Sequence, residues 1–392
     1  MHSASLAQLV GSGSTLPRVR FQPDTNMAGI KIFLKCISLC LVTYHAFATL
    51  EEEVALCPCA PDFTPFFQKI PNLGRRLRVA SPCVGVHACG HAMKTMGVLA
   101  DSINVYDLDQ GYSKAILQGL LDAGMEMMDI QLSLGKKIGD VTKKSVLALQ
   151  KPVDLLIAGP PCPPWAGQGN KQGLRDIRAK VFLNILEWLI FFIKGCGLLC
   201  VILENVLGIT YEYDGYESVI RKMLRVLQKF CPEFAWSIDI LKATNYLLPH
   251  TRIRVFLRGI RKIIAPTVPS CLNPFGAKPI RHFLGKYAND DRKQLTPNLQ
   301  HNAKCMEGRI QTMFKFGKLR LEDIIVFPVD QAQGKVYKQT FQVNNCPTLT
   351  TNNVYLFALS VKDVVNDVAD EDMIYLFFET NTYIRSSFII HI

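Results

Sequence analysis

No two cysteines in this chain have the C-x-x-C spacing, although 13 are scattered through its 392 residues. That leaves a dithiol or zinc ribbon little to build on, and scattered thiols in a long chain read as reduced ones. No apolar run reaches the roughly 18 residues a membrane span needs, so no membrane partner is expected. The run Cys36 to Leu50, "CISLCLVTYHAFATL", has 15 residues and suits a buried helix. Were Met27 the start, Lys31 and Lys35 ahead of that run would give it the look of a secretory signal. Internal repeats and low-complexity tracts are missing, which excludes solenoids and arrays. Acidic residues are also short, 33 against 44 Lys and Arg, for a net charge of +11 and a pI near 9.0. That imbalance suggests a polyanionic partner; a basic protein with nothing special bound is the plain alternative.

What remains is a globular composition, 49% apolar and 20% charged, with room for two domains. The excess charge is concentrated. Residues 258–345 carry 15 Lys and Arg against 6 Asp and Glu, so a net +9 of the +11 lies in under a quarter of the chain. Phosphates are expected there. The first 26 residues are aperiodic, contain Ser and Gly, and read as disordered.

From Leu77 the pattern is strand, turn, helix, repeated. "LRVAS", "INVYDLD" (Ile103 to Asp109), "VDLLIAG" (Val153 to Gly159) and "LLCVILENV" read as strands, the last two buried on both faces. "RAKVFLNILEWLIFFIK" places Val181, Phe182, Ile185, Leu186, Leu189 and Phe192 at helical spacing, and "YESVIRKMLRVLQKF" is a second amphipathic helix. "RIRVFLRG" closes the series with strict alternation. This predicts an α/β fold with a mostly parallel sheet, helices on both faces and ligands at its carboxyl edge. The ends of three strands, at Asp107, Cys162 and Glu204, then share one rim. After Gly259 long periodic helices are not expected until "CPTLTTNNVYLFALS". The domains expected are an N-terminal extension (1–70), the sheet domain (71–259), a basic inserted region (260–345) and a shortened return to the sheet domain (346–392).

"VDLLIAGPPCPPWAGQGNKQGLRDIR", Val153 to Arg178, is the most informative stretch. Four prolines at the end of a core strand have no ladder role, because each removes a donor and fixes φ. They hold something rigid, and the group to hold is the thiol of Cys162. Most free cysteines are merely small buried hydrophobes; one at a strand-to-loop junction can be a nucleophile if nearby amides or cations stabilise its thiolate. Glu204 ends an apolar strand, where a partly desolvated carboxyl suits a hydrogen-bond donor to a ring nitrogen. A helix-capping Glu is the plain alternative. In "LPHTRIRVFLRG", Arg252 and Arg254 lie two apart, hence on one strand face.

Together these segments resemble the cytosine-5 DNA methyltransferase family, from about Leu77 to about Ser360. "GPPCPPWAGQG" with "GLRDIR" is similar to its Pro-Cys nucleophile loop, "ENV" (Glu204 to Val206) to its Glu-Asn-Val motif, and "HTRIRVF" to its Gln-x-Arg-x-Arg motif, with His250 in place of Gln. "CPTLTTNN" resembles its Thr-rich segment. The resemblance implies a Rossmann-like methyltransferase sheet with an inserted target-recognition domain, and DNA (cytosine-5-)-methyltransferase activity. Cys162 would attack carbon 6 of a flipped cytosine, Glu204 would hold and protonate nitrogen 3, and Arg254 and Arg252 would support the base and its phosphate. Gln168, Asn205, Thr350 and Thr351 would contact substrate. The cofactor implied is S-adenosyl-L-methionine, held by Gly85, Asp107, Asp109, Asp140 and Pro160.

Two departures stand out. In "RVASPCVGVHACGHAMKTMGV" only Gly85 matches the family's Phe-x-Gly-x-Gly loop, with Cys83 for Phe and His87 for the second Gly. The Gly-Asn helix that ends the family has no counterpart. A DNA-binding pseudoenzyme with a degenerate cofactor pocket therefore stays open, as does transfer to cytosine in RNA, transfer RNA included, since phosphate contacts carry no base or sugar identity. Cys83, His87, Cys89 and His91 match no usual zinc spacing, and no metal is expected. A eukaryotic source would imply the nucleus, a prokaryotic or phage source the cytoplasm.

Overall fold

The computed structural model describes residues 76–366, with 378 and 379, apart from 247 and stretches within 84–129, 136–151, 167–175, 213–216, 272–296, 329–340 and 346–354. The N-terminal run 36–50, Asp109, Gln168, Thr350 and Thr351, and also His87 and His91, lie outside the described residues. The chain divides into two compact units, one holding Phe63–Leu241 and Ile253–Asn273, the other Lys242–Arg252 and Pro274–Ile392.

The first unit is a seven-stranded sheet. Its strands are β1 (Leu77–Pro82), β2 (Ala100–Asp107), β3 (Ile130–Leu134), β4 (Leu155–Ala158), β5 (Cys200–Val206), β6 (Phe234–Lys242) and β7 (Ile253–Arg261), in the order β3-β2-β1-β4-β5-β7-β6. β1 to β5 are parallel and β7 runs antiparallel to β5. All four residues of β4 and the first four of β5 are buried, as apolar runs between two helical layers must be. The order reverses between β1 and β4, which leaves a crevice at their carboxyl ends where such sheets bind ligands. The expected mostly parallel α/β architecture is the one observed. At the opposite edge Asp154 fixes β4 to β1: its carboxylate takes the Arg78 backbone N–H at 3.0 Å, Nε at 3.0 Å and Nη2 at 2.8 Å.

Helix α1 (Ala179–Gly195) buries Phe182, Ile185, Leu186, Leu189 and Phe192 of the expected stripe, with Trp188 and Ile193 added and Val181 only half-buried. Trp188 meets Tyr106 of β2 edge-on at 5.0 Å. Helix α2 (Val219–Phe230) buries only Ile220, Met223 and Leu227 and turns its Lys and Arg residues outward.

β7 departs from expectation. Its alternating sequence suggests one wet face, yet Val255 to Ile260 are all buried. The strand lies between β5 and β6, so both edges are paired, while Val255 and Leu257 pack into the core with α1 and α2 and the Trp236 ring lies over Gly259. Arg258, 1% exposed in its side chain, is accommodated because its Nε reaches Asp239 Oδ2 at 2.7 Å. A buried cation without that partner would be costly.

The second unit carries an antiparallel sheet of β8 (Ile324–Pro328), β9 (Gln342–Val343), β10 (Tyr355–Ser360) and β11 (Phe378–Glu379), in the order β11-β10-β8-β9. Here the sequence reading is corrected: a 19-residue helix, α3 (Pro297–Lys315), occupies a stretch where no long helix was expected. Its buried stripe is thin, Ala303, Met306 and Ile310 with the polar Asn302, so its apolar periodicity is weak. It packs with the short α4 (Val361–Val365), through Val361 and Val364, on Ile325 and Phe327 of β8.

Candidate active site

β4 delivers the segment that carries Cys162 to the carboxyl edge. Beyond Gly159 the prolines at 160, 161, 163 and 164 stiffen the backbone around Cys162. The Cys162 carbonyl accepts the N–H groups of Trp165 at 2.9 Å and Ala166 at 3.0 Å, which closes a tight turn. Trp165 anchors that turn: it is 1% exposed and meets Phe182 of α1 edge-on at 5.1 Å. Cys162 itself is half-buried with a free thiol, unlike Cys196, Cys200 and Cys231, which are sealed in the core.

β5 lies beside β4 with Leu203 paired to Ala158, so Glu204 follows directly beside Gly159. Glu204 Oε2 is 3.5 Å from where a β-carbon on Gly159 would stand. Asn205 sends Nδ2 to the Pro160 carbonyl at 3.2 Å while its Oδ1 takes the Val206 N–H at 2.9 Å. Asn205 thus ties β5 to the backbone just ahead of Cys162. On the other side of β5, Arg254 of β7 brings Nε to 2.7 Å from Glu204 Oε1. Arg252 belongs to the second unit, where its carbonyl accepts the Ala243 N–H at 2.8 Å.

Two residues were quoted in the sequence reading without a role, Asp176 and Arg178. Arg178 donates to Asp176 through its backbone N–H and Nε at 2.9 Å and through Nη2 at 2.5 Å. Those bonds from Arg178 push the Asp176 carboxyl down to about 2. The same pairing raises the Arg178 guanidinium, and the charge of Cys162 adds a smaller part. The signal was the D-x-R spacing at the entry to α1, where both side chains reach one another.

The switch point holds the second half of the site. After β1 the chain turns through Cys83 and Gly85, both with φ of 55°, the left-handed region that suits Gly85 and strains Cys83. The Gly85 N–H donates to Asp107 Oδ2 at 2.9 Å, and the Cys83 N–H to the Tyr106 carbonyl at 2.8 Å. A β-carbon on Gly85 would meet nothing within 4 Å, so its backbone faces open space. Asp140 uses Oδ1 to take the Thr142 N–H at 2.9 Å and hydroxyl at 2.6 Å. Burial pushes the Cys83 thiol far up, and the charges of Asp107 and Asp140 push it further, so both carboxylates converge on this turn. Cys89, further along this turn, is buried with its sulfur 3.2 Å from the Ser81 hydroxyl. Among the described residues no group of three or more His, Cys, Asp or Glu could hold a metal. Nor is any described helix long and apolar enough to cross a membrane.

Residues 130–354 match the family model of the C-5 cytosine-specific DNA methylases. The chain belongs to that family. Among these methylases it is 32% identical over 123 residues to the type II methyltransferase M.DsaV of Dactylococcopsis salina, covering 31% of this chain and 32% of that one. With M.HpaII of Haemophilus parainfluenzae the identity is 28% over 125 residues, covering 32% and 33%. The chain thus spans about a third of the length of these bacterial relatives. A DNA (cytosine-5-)-methyltransferase of Cryptococcus neoformans var. grubii is 23% identical over 275 residues, covering 62% of this chain and 10% of that one. Among solved structures, the Entamoeba histolytica methyltransferase EhMeth aligns with a TM-score of 0.43 at 15% identity, covering 59% of this chain and 66% of that one.

Proposed function

We propose that this chain transfers a methyl group to carbon 5 of cytosine in DNA through a covalent adduct at Cys162. The observation that carries the reading is the junction of β4 and β5: a half-buried thiol on a proline-braced turn beside a carboxylate that Arg254 holds at 2.7 Å. The residues at the switch point fit S-adenosylmethionine. Asp107 ends β2 where such sheets present a carboxylate to ribose hydroxyls, Asp140 lies near it, and the bare backbone at Gly85 leaves room for a ligand to approach. When bound, that cofactor supplies an electrophilic methyl group.

The chain's own residues do the rest. The Cys162 thiolate adds to carbon 6 of the cytosine ring, and the electron pair of the 5,6 double bond moves to carbon 5. Glu204 shares a proton with nitrogen 3, which neutralises the charge that develops there. Arg254 keeps the Glu204 carboxyl aimed at that nitrogen. After transfer, loss of the carbon 5 proton restores the double bond and expels the Cys162 sulfur. Carbon 6 is shielded inside a duplex, so the base must be extruded, at a cost of a few kcal/mol. The positive charge of residues 258–345 suits the backbone contacts that would offset it.

The test is methyl transfer from labelled S-adenosylmethionine to duplex DNA and to transfer RNA in parallel, with Cys162→Ala as control. Transfer to DNA, lost in the variant, is expected. Transfer by the variant would sink the covalent mechanism, and transfer to RNA alone would overturn the DNA assignment.

A further inference from the structure

The turn that follows Glu204 and Asn205 meets the turn that carries Cys162 at one glycine. Gly208 lies in a 3-10 turn, Leu207–Thr210, directly after β5. It is buried, and its φ is not among the positive ones, so backbone freedom does not explain it. Space does. A β-carbon there would overlap the main-chain carbonyl oxygen of Trp165 and stand 3.0 Å from the carbonyl carbon. Trp165 cannot yield easily. Its N–H is bonded to the Cys162 carbonyl at 2.9 Å, and its indole is buried against Phe182.

We propose that Gly208 is a positioning residue for the nucleophile, setting how far the Cys162 thiol stands from the Glu204 carboxyl. The turn is gripped at both ends. Before Cys162, the Pro160 carbonyl is held by Asn205 Nδ2 at 3.2 Å. After it, the Trp165 carbonyl rests on the bare Cα of Gly208. Asn205 and Gly208 are three residues apart on the chain that bears Glu204, so acid and nucleophile are gauged by one short segment. Adding a methyl group at 208 must push the Trp165 carbonyl away and carry Cys162 with it. A displacement near 1 Å between reacting groups costs on the order of 100-fold in rate.

The proposal rests on the methyltransferase reading, and the experiment separates the two. In the full chain, Gly208→Ala is compared with wild type in three measurements. These are S-adenosylhomocysteine binding by calorimetry, covalent capture of duplex DNA carrying 5-fluorocytosine with S-adenosylmethionine added, and the iodoacetamide rate at Cys162 read by peptide mass. Expected are unchanged binding, a capture rate about 100-fold lower, lost from kcat and not from KM, and an altered alkylation rate. Wild-type capture and alkylation rates in the variant would overturn the proposal. If wild type captures no DNA yet alkylation changes with the variant, the functional reading fails and the positioning stands. Should the variant not fold, hydrogen exchange of wild type decides. Slow exchange at the Trp165 and Ala166 amides supports a gripped turn, and exchange at open-loop rates overturns it.

Discussion

Arg254 Nε reaches Glu204 Oε1 at 2.7 Å along a diagonal of the β5–β7 ladder. The register sets Glu204 opposite Phe256 and Val206 opposite Arg254, so the pair is offset by two residues on one face. Long side chains bridge such a diagonal readily. The Arg254 Nη1 also donates to the Ile253 carbonyl at 2.9 Å, which fixes the guanidinium from behind. Arg254→Ala should lower single-turnover methyl transfer about 100-fold, the lower range for losing a well-placed proton donor. Arg254→Lys should recover only part, because an ammonium lacks the planar fork. Equal rates for wild type and Arg254→Ala would remove Arg254 from the positioning of Glu204.

Asp107 ties together the turns that follow β1 and β3. Its Oδ2 takes the Gly85 N–H at 2.9 Å, and its carbonyl takes the Gly135 N–H at 2.8 Å. A β-carbon on Gly139 would overlap that same carbonyl, so the approach to Asp140 is also fixed by it. Asp107→Ala removes a charged hydrogen-bond partner worth about 1.5–3 kcal/mol, so S-adenosylhomocysteine should bind at least about tenfold more weakly. Calorimetric titration of the two proteins checks this; matched affinities would place the cofactor elsewhere.

The alternation of strand and helix, the proline-braced cysteine and the Glu-Asn-Val end of β5 were legible because each leaves a local mark. Apolar runs four to seven residues long report strands buried on both faces, and prolines at a strand end report a constrained turn. Three features left no such mark. The helix α3 hides because only a thin stripe of it, with Ala303, Met306 and Ile310, faces a core. The burial of β7 comes from side chains that other elements pack on its faces, and Arg258 in mid-strand argues against it until Asp239 is seen beside it. The need for glycine at 208 arises from Trp165, more than forty residues away in sequence, so only the fold reveals it.

The Asp176–Arg178 pair should show itself in acid. Asp176 titrates at about 2 in the folded chain, below the roughly 3.9 of an unfolded Asp. Its contribution to stability is therefore fully present above about pH 4 and is lost as the pH falls toward 2. Asp176→Asn should melt below wild type at neutral pH, and the gap should narrow as the pH drops through that window. Melting curves of both proteins between pH 2 and 7 read this directly. A gap that stays constant would mean the carboxylate charge contributes nothing.

Among the described residues of the second unit, the corner after α3 gathers three exposed cations. Lys315, Lys318 and Arg320 are all exposed there, around a Phe316 that is 71% exposed. Glu322 is 3.8 Å from Arg320, too loose a pairing between exposed groups to cancel its charge. If the three cations contact DNA backbone, replacing all of them with Ala should reduce the slope of log affinity against log salt by about 2 to 3. Discrimination between DNA sequences should stay the same, because phosphate contacts do not read bases. Titrations at a series of salt concentrations, on two unrelated duplexes, measure both quantities. An unchanged slope would move the DNA contact off this corner. A changed preference between the duplexes would instead make the corner a reader of bases, with Phe316 as the side chain to replace next.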